Sequence, residues 1–249
     1  MEYNDDEFKC VLSIGIRCFT EIYLKELQLR KFSSPLGSVY LNSTKQIIYL
    51  LENGIEDDLL IHTENYAKFK PYNDKFGNRS IHKYISDQMK IDNSNTHLMF
   101  HKAVFAHHNL NDEKGKVHFD RCFKRLKIIQ KDKIKTLFCL FYHVNYFGYE
   151  PISMSDISNL ADYLSCKFNC HLLVIHFCKL ANNNMKYKLI MKTEKLTLYY
   201  VNSDETEFLP QKDILQKIMN EMNVNNKSLL DIKYFNEHSS TINEPNSGP

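Results

Sequence analysis

The spacing of hydrophobic and polar residues changes within the first thirty positions of the chain. Residues 8–15, FKCVLSIG, form a short apolar run rich in β-forming residues that ends in glycine, which predicts a buried strand. After it, apolar residues recur at helical spacing from Phe19 to Leu29. The chain therefore opens with a strand, a tight turn at Gly15 and a helix.

Helix-like segments recur along the rest of the chain. Ser43 can cap a helix over the segment TKQIIYLLEN, and Gly54 is well placed to end it. Periodicity predicts three more helices, at 117–131, 153–168 and 211–223.

Strand-like segments lie between these helices. The continuous apolar run over 135–144 is typical of a central strand covered on both faces. The other predicted strands lie at 96–110, 170–179, 187–193 and 196–202. This alternation predicts an α/β fold, with a mixed, mostly parallel central sheet flanked by helices in three layers.

The domain organisation is expected to be simple. We expect a single domain over residues 1–235 and a disordered tail over 236–249, because the tail contains little that can be buried. Residues 57–95 show no clear period and are expected to form loops with short helices.

Composition and charge narrow the class of protein. Hydrophobic residues make up 43% of the 249 residues and charged residues 25%, as in ordinary globular proteins. The formal net charge of +2 gives no large field to attract nucleic acid or anionic lipid. No apolar run approaches a membrane span, and the N-terminus lacks the features of a secretory signal. We expect a cytoplasmic protein without cofactor, membrane or nucleic-acid partner, and the oligomeric state stays open.

The seven cysteines do not suggest a disulfide framework, because their number is odd and several lie in apolar runs. Cys18 stands apart at the N-terminal end of a predicted helix. Unpaired N–H groups and the helix dipole lower the pKa of a thiol at such a position, and Arg17 adds positive charge. The same N–H groups can stabilise an oxyanion. The alternative interpretation is a small buried residue in the first helical turn.

Four residues carry a resemblance to a known family. Ser13, Gly15 and Cys18 match a Ser-Leu-Gly-x-x-Cys segment, and Pro35 matches the start of a later Pro-Phe-Asp-Trp segment. By these motifs the chain resembles, over residues 8–180, the proteins grouped as putative papain-like cysteine peptidases. The resemblance implies that Cys18 is a nucleophile.

The resemblance also implies a histidine base. The family carries a His-Asp-Phe segment before an arginine-rich helix and an apolar strand, and here FAHHNL has that place. His107 is the natural counterpart, with His108 as the substitute. Only one of the two can point toward the site, because adjacent strand side chains point to opposite faces. Asp120 can orient the base as a third triad member. The alternatives are histidines bonded to backbone at the sheet edge and a solvent-facing aspartate.

The second family segment departs from its usual pattern. Leu36, Gly37 and Ser38 stand where Phe-Asp-Trp is usual, so that loop offers no carboxylate. If the loop aspartate orients the base or binds substrate, another residue must take its role, or activity is lost. Gly15, Arg17 and Ser38 are expected near the oxyanion or the substrate.

Three other groups of residues admit different chemistry. Cys166 and Cys170 form a C-x3-C pair, but no second element completes a zinc pattern, and we expect no metal site. Four histidines also cluster in sequence, namely His97, His101, His107 and His108. The helix that begins near 117 is basic and can bind phosphate groups, although a solvated face is the simpler interpretation.

The leading hypothesis is a thiol-dependent hydrolase or acyl transferase that acts on a peptide or another acyl-containing substrate. One alternative is a catalytically inactive binding protein on the same fold, which the missing loop aspartate motivates. A second alternative is an α/β enzyme that acts on a sugar or nucleotide, with the basic helix as its direct support.

Overall fold

The computed structural model describes most of the chain outside one long central segment. The described residues are 7–16, 18–37, 39, 41, 43–53, 60–62, 80–82, 113–143, 152–182, 184–203 and 211–238. Of residues 60–62 and 80–82, the backbone alone is described.

Seven strands and six α-helices lie in this described part. The strands are β1 (Cys10–Ser13), β2 (Leu60–His62), β3 (Ser80–His82), β4 (Thr136–His143), β5 (Cys170–Cys178), β6 (Tyr187–Lys192) and β7 (Leu196–Asn202). The helices are α1 (Cys18–Glu26), α2 (Thr44–Asn53), α3 (Glu113–Lys131), α4 (Met154–Lys167), α5 (Lys212–Glu221) and α6 (Ile232–His238).

Five strands form one mixed sheet in the order β1-β4-β5-β7-β6. The pairs β1–β4, β4–β5 and β5–β7 are parallel, whereas β6 runs antiparallel to β7. β2 and β3 pair antiparallel in a separate two-stranded sheet. The predicted α/β fold with a mixed, mostly parallel sheet is confirmed.

Hydrophobic clusters cover both faces of the large sheet. Side chains alternate along β4, so Leu137 and Phe141 pack on one face while Phe138 and Leu140 pack on the other. Apolar residues of α1 and α5 cover the first face, and those of α2, α3 and α4 cover the second. The sheet is therefore the middle of three layers.

The local capping prediction for α2 is confirmed. The helix begins at Thr44, and the Oγ of Ser43 accepts a hydrogen bond from the N–H of Gln46 at 3.3 Å. A serine hydroxyl can therefore satisfy one of the free N–H groups at the helix start.

Other local features differ from the prediction. α3 begins at Glu113, four residues before the expected start, because its first turn carries few apolar residues to reveal it. β2 and β3 lie within 57–95, so the expectation of loops with short helices was wrong there; three-residue strands are too short to show alternation. α6 continues to His238, past the predicted start of the tail. The strand predicted over 96–110 lies outside the described residues.

The first turn of α1 is joined to the central sheet by one side chain. The Oγ1 of Thr20 accepts a hydrogen bond from the N–H of Phe141 at 3.0 Å and donates one to its carbonyl at 3.3 Å. β1 ends where Ser13 pairs with Cys139, so Thr20 supplies the hydrogen bonds that β1 no longer offers to β4. The start of α1 therefore lies beside the carboxyl end of β4.

None of the helices in the described ranges is long and apolar enough to cross a lipid bilayer.

Thr20→Val should destabilise the fold, because the substitution leaves two buried backbone groups of Phe141 without their partner. We expect the free energy of unfolding to fall by about 1–3 kcal/mol, measured by urea denaturation. Thr20→Ser keeps the hydroxyl and should lose only about 1 kcal/mol for its missing methyl group. A valine variant as stable as the serine variant would contradict the role given to these hydrogen bonds.

Candidate active site at the carboxyl end of the sheet

Cys18 is the first residue of α1, five positions after the end of β1. Its thiol group is half-buried. Since β1, β4, β5 and β7 are parallel, their carboxyl ends lie along one edge of the sheet, where ligand sites of α/β folds are commonly found. The predicted arrangement of strand, turn and helix around the thiol is confirmed.

The other cysteines have different surroundings. Burial raises the pKa of the Cys10 and Cys170 thiols to about 12 and that of Cys122 to about 11, and it also raises those of Cys139 and Cys178. These five cysteines are poor nucleophiles because the thiolate is disfavoured. Cys166 is exposed on the surface of α4. Cys18 is thus the partly exposed cysteine at a helix N-terminus.

The loop that follows α1 lies directly against the turn that precedes it. The hydroxyl group of Ser34 donates a hydrogen bond to the carbonyl of Ser13, and the N–H of Leu41 donates one to the carbonyl of Ile16 at 2.9 Å. Pro35 and Gly37 are buried within this loop. The two segments that carry the family motifs are therefore adjacent in space.

A buried carboxylate connects this loop to α1. Glu21 lies one helical turn after Cys18, and its side chain is 8% exposed. The Glu21 Oε1 is 2.7 Å from the Arg30 Nε, and the backbone N–H of Ser34 also donates to the carboxylate. Burial raises the pKa of Glu21 to about 7, although Arg30 and the Ser34 N–H act in the opposite direction. Glu21 can therefore exchange a proton near neutral pH.

Gly37 leaves the space that the Glu21 carboxylate fills. A Cβ atom at Gly37 would lie 2.5 Å from the Glu21 Oε2 and 2.6 Å from its Cδ, closer than van der Waals contact allows. Gly37 stands where the family pattern has aspartate. The loop itself offers no carboxylate, as the sequence indicates, but the carboxylate of Glu21 on α1 lies against the Gly37 position.

His143 is a second residue that the sequence interpretation missed. It ends β4 and is buried. Because strand side chains alternate, His143 lies on the same face as Phe141, the face that α1 covers. Phe141 is hydrogen-bonded to Thr20 in the first turn of α1, and His143 follows two residues beyond this point on the strand. The available signal was a histidine at the carboxyl end of the predicted central strand.

Only some of the predicted site residues lie in the described part of the chain. Gly15 is buried in the turn, and its N–H donates to the Ser13 Oγ at 3.4 Å. Asp120 lies on α3 with its side chain 57% exposed, and its Oδ2 is 3.0 Å from the Lys124 Nζ. The orienting role of Asp120 stays a prediction. Arg17, Ser38, His107 and His108 lie outside the described residues.

The residues considered for a metal site are spread along the chain. Cys166 is exposed on α4, and Cys170 begins β5. His97 and His101 lie outside the described residues. Among the residues that the structure describes, no three His, Cys, Asp or Glu side chains come together as a metal site would require.

One comparison identifies a family for this chain. Residues 9–143 match the model of a family described as putative papain-like cysteine peptidase. The matched range is more than half of the 249 residues. The matched range runs from β1 through α1, the loop and α3 to His143 at the end of β4. Neither a curated protein nor a solved structure matches the chain. The family suggested by the motifs is confirmed.

Gly37→Ala should destabilise the fold by about 1–3 kcal/mol, because the new methyl group overlaps the Glu21 carboxylate. In a Glu21→Ala background the three closest contacts of the new methyl group are removed, so the same substitution should cost much less. A double-mutant cycle of unfolding free energies, measured in urea, checks this coupling. An equal cost of Gly37→Ala in both backgrounds would contradict the contact.

Glu21→Gln should change how stability depends on pH. The pKa of Glu21 is about 7 in the folded protein against an ordinary value of 4.5, so between these values the folded chain keeps a proton that the unfolded chain has released. The stability of the wild-type protein therefore falls across this range as the pH rises, and glutamine removes that loss.

The variant should thus gain stability relative to the wild type between about pH 5 and about pH 8, as measured by urea unfolding. Glu26→Gln, on the exposed side of α1, serves as the control. If the Glu21→Gln variant loses stability relative to the wild type over this pH range, Arg30 keeps the Glu21 carboxyl charged.

Proposed function

Since the chain belongs to the family described as putative papain-like cysteine peptidases, we propose that it is a thiol-dependent hydrolase or acyl transferase with Cys18 as its nucleophile. The position of Cys18 carries this proposal. Its thiol is half-buried at the first residue of α1, whereas burial disfavours the thiolate of five other cysteines. The free N–H groups and the dipole at a helix N-terminus favour an anion there.

The proposed reaction follows from this placement. The Cys18 thiolate attacks the carbonyl carbon of the substrate, which forms a C–S bond and a tetrahedral oxyanion. N–H groups in the first turn of α1 stabilise the oxyanion. The bond to the leaving group then breaks as an imidazolium gives that group its proton. Water or another nucleophile attacks the acyl-enzyme and releases the Cys18 thiol.

Three histidines are candidates for the base that takes the thiol proton. His107 and His108 follow from the family pattern. His143 is favoured by its position, because it ends β4 on the face that α1 covers, two residues after the strand's hydrogen bonds to Thr20. All three follow Cys18 in the sequence, which is also the order of nucleophile and base in papain-like enzymes.

Glu21 has a positioning role in this proposal. Its carboxylate lies one helical turn from Cys18 and against Gly37. The loop that contains Pro35 and Gly37 thus has a carboxylate beside it, which comes from α1. This observation favours an active enzyme over a binding protein on the same fold, since the loss of the loop aspartate was the reason for that alternative. Glu21 holds the loop through Ser34 and does not need to contact the substrate.

The substrates that suit this chemistry are peptides, other amides and thioesters, because each offers a carbonyl carbon and a leaving group that can accept a proton. We propose a cytoplasmic location, since cysteines are kept reduced in that compartment. Acyl transfer and hydrolysis share the acyl-enzyme and differ only in the acceptor.

At about pH 6, iodoacetamide should label Cys18 at least about tenfold faster than Cys166, because a thiolate is the reactive species. Cys166 is the matched comparison as an exposed thiol without a helix N-terminus. Peptide mass mapping of the timed reaction measures both rates. In urea-unfolded protein the two rates should become equal. Labelling of Cys18 no faster than Cys166 in the folded protein would overturn the proposal.

The base can be identified by the same reaction. His107, His108 and His143 are each replaced by alanine in a separate variant, and the rate of Cys18 labelling is measured against pH. Two variants should keep the wild-type profile. The variant that lacks the partner histidine should shift the profile toward higher pH, because that histidine stabilises the thiolate. Urea unfolding of each variant separates this effect from loss of the fold. If no variant shifts the profile, the assignment of a histidine as the base is wrong, even if Cys18 is reactive.

A further inference from the structure

A basic pocket lies away from Cys18, between the end of α1, the segment that follows it, α3 and the start of α6. Its volume is about 370 Å³. Five cationic residues from two distant parts of the chain line it, namely Lys25, Arg30, Lys31, Arg121 and Arg125. The sequence interpretation left two possibilities for the basic residues of α3, phosphate binding and, as the simpler one, a solvated face. The fold brings two arginines of this helix together with cations that precede them by about ninety positions.

Three of the guanidinium groups in this basic pocket are held in place. The Arg30 Nε contacts the Glu21 carboxylate, and its Nη2 donates to the Ser33 Oγ at 2.7 Å. The Arg121 Nε donates to the carbonyl of Val117 at 3.2 Å. The Arg125 guanidinium lies over the Phe32 ring, 5.7 Å from its centroid. Groups fixed in this way lose little entropy when they bind a ligand.

The positive charge of the basic pocket is only partly neutralised. No acidic side chain from the described part of the chain lines it, and Glu21, which pairs with Arg30, is not among its lining residues. Among the described residues, Lys25, Lys31, Arg121 and Arg125 form no ion pair with a carboxylate. Burial is the main cause that lowers the pKa of Arg125, and the positive charge of Arg121 acts in the same direction. A bound anion would favour the charged form of both arginines.

We propose that the basic pocket binds the phosphate group of a small phosphorylated molecule, with Arg30, Arg121 and Arg125 around the phosphate. Guanidinium groups match the geometry of phosphate oxygens, and a group with about two negative charges suits several cations better than a carboxylate does. Phe32 and Ile232 offer apolar surface to the rest of the ligand. The limited volume and the net charge of +2 favour a small molecule over a nucleic acid.

This site is separate from the proposed thiol chemistry. Lys25 lies seven residues after Cys18 on α1, which places the two about 10 Å apart along the helix axis. Phosphate binding needs no reaction at the thiol. The Cys18→Ser variant should therefore bind the ligand as the wild type does, and a failure of one proposal leaves the other testable.

Calorimetric titration with inorganic pyrophosphate tests the proposal at fixed ionic strength. We expect saturable binding, and Arg121→Gln with Arg125→Gln should weaken it by about tenfold or more. The matched control is Lys127→Gln with Lys131→Gln, which removes two cations at the same spacing from another face of α3 and should change the affinity less than twofold. No binding, or equal losses in both double variants, would overturn the proposal.

Titrations with two other ligands test the assignment to a small phosphorylated molecule. Succinate carries two carboxylates and should bind much more weakly than pyrophosphate; equal binding would overturn the assignment to phosphate. A single-stranded oligonucleotide that binds more tightly than pyrophosphate, and that loses affinity in the lysine control, would also overturn it in favour of a general basic surface. If circular dichroism shows that the arginine variant is unfolded, Lys25→Gln with Lys31→Gln replaces it and should also weaken pyrophosphate binding.

Discussion

The buried carboxylate of Glu21 is the interaction on which the rest of the site depends. Transfer of a carboxylate from water into the protein is unfavourable, and its raised pKa of about 7 records that cost. The contacts with Arg30 and the Ser34 N–H offset part of it, and the missing side chain at Gly37 leaves the necessary space. One side chain thereby joins α1 to the loop that follows it.

The same helix supports both proposed sites. Cys18 lies at its first residue, Glu21 one turn later and Lys25 in its last turn. Thr20 bonds the helix to β4 at the carboxyl edge of the sheet, and Glu21 holds Arg30 beside the basic pocket. The proposed thiol site and the proposed anion site are therefore positioned by one helix, at opposite ends of its length.

Much of the fold follows from local patterns. The apolar runs of β4 and β5 and the Ser43 cap of α2 are visible in the sequence because each signal lies within a few residues. β2 and β3 are not visible, since strands of three residues hold too little of a period. His143 was treated only as part of a buried strand, because the helix that covers its face is more than a hundred residues away in the sequence.

The sequence by itself determined the order along the chain of the five strands of the large sheet and of helices α1 to α5, the place of Cys18 at the start of a helix and the family resemblance of its first segment. These depend on residue spacing and on motif letters, which are local. Only the tertiary structure decided that Glu21 fills the space beside Gly37 and that Arg30 meets Arg121 and Arg125. Such contacts depend on how α1, the loop and α3 pack together, and no periodicity along the chain encodes the distance between side chains on different elements.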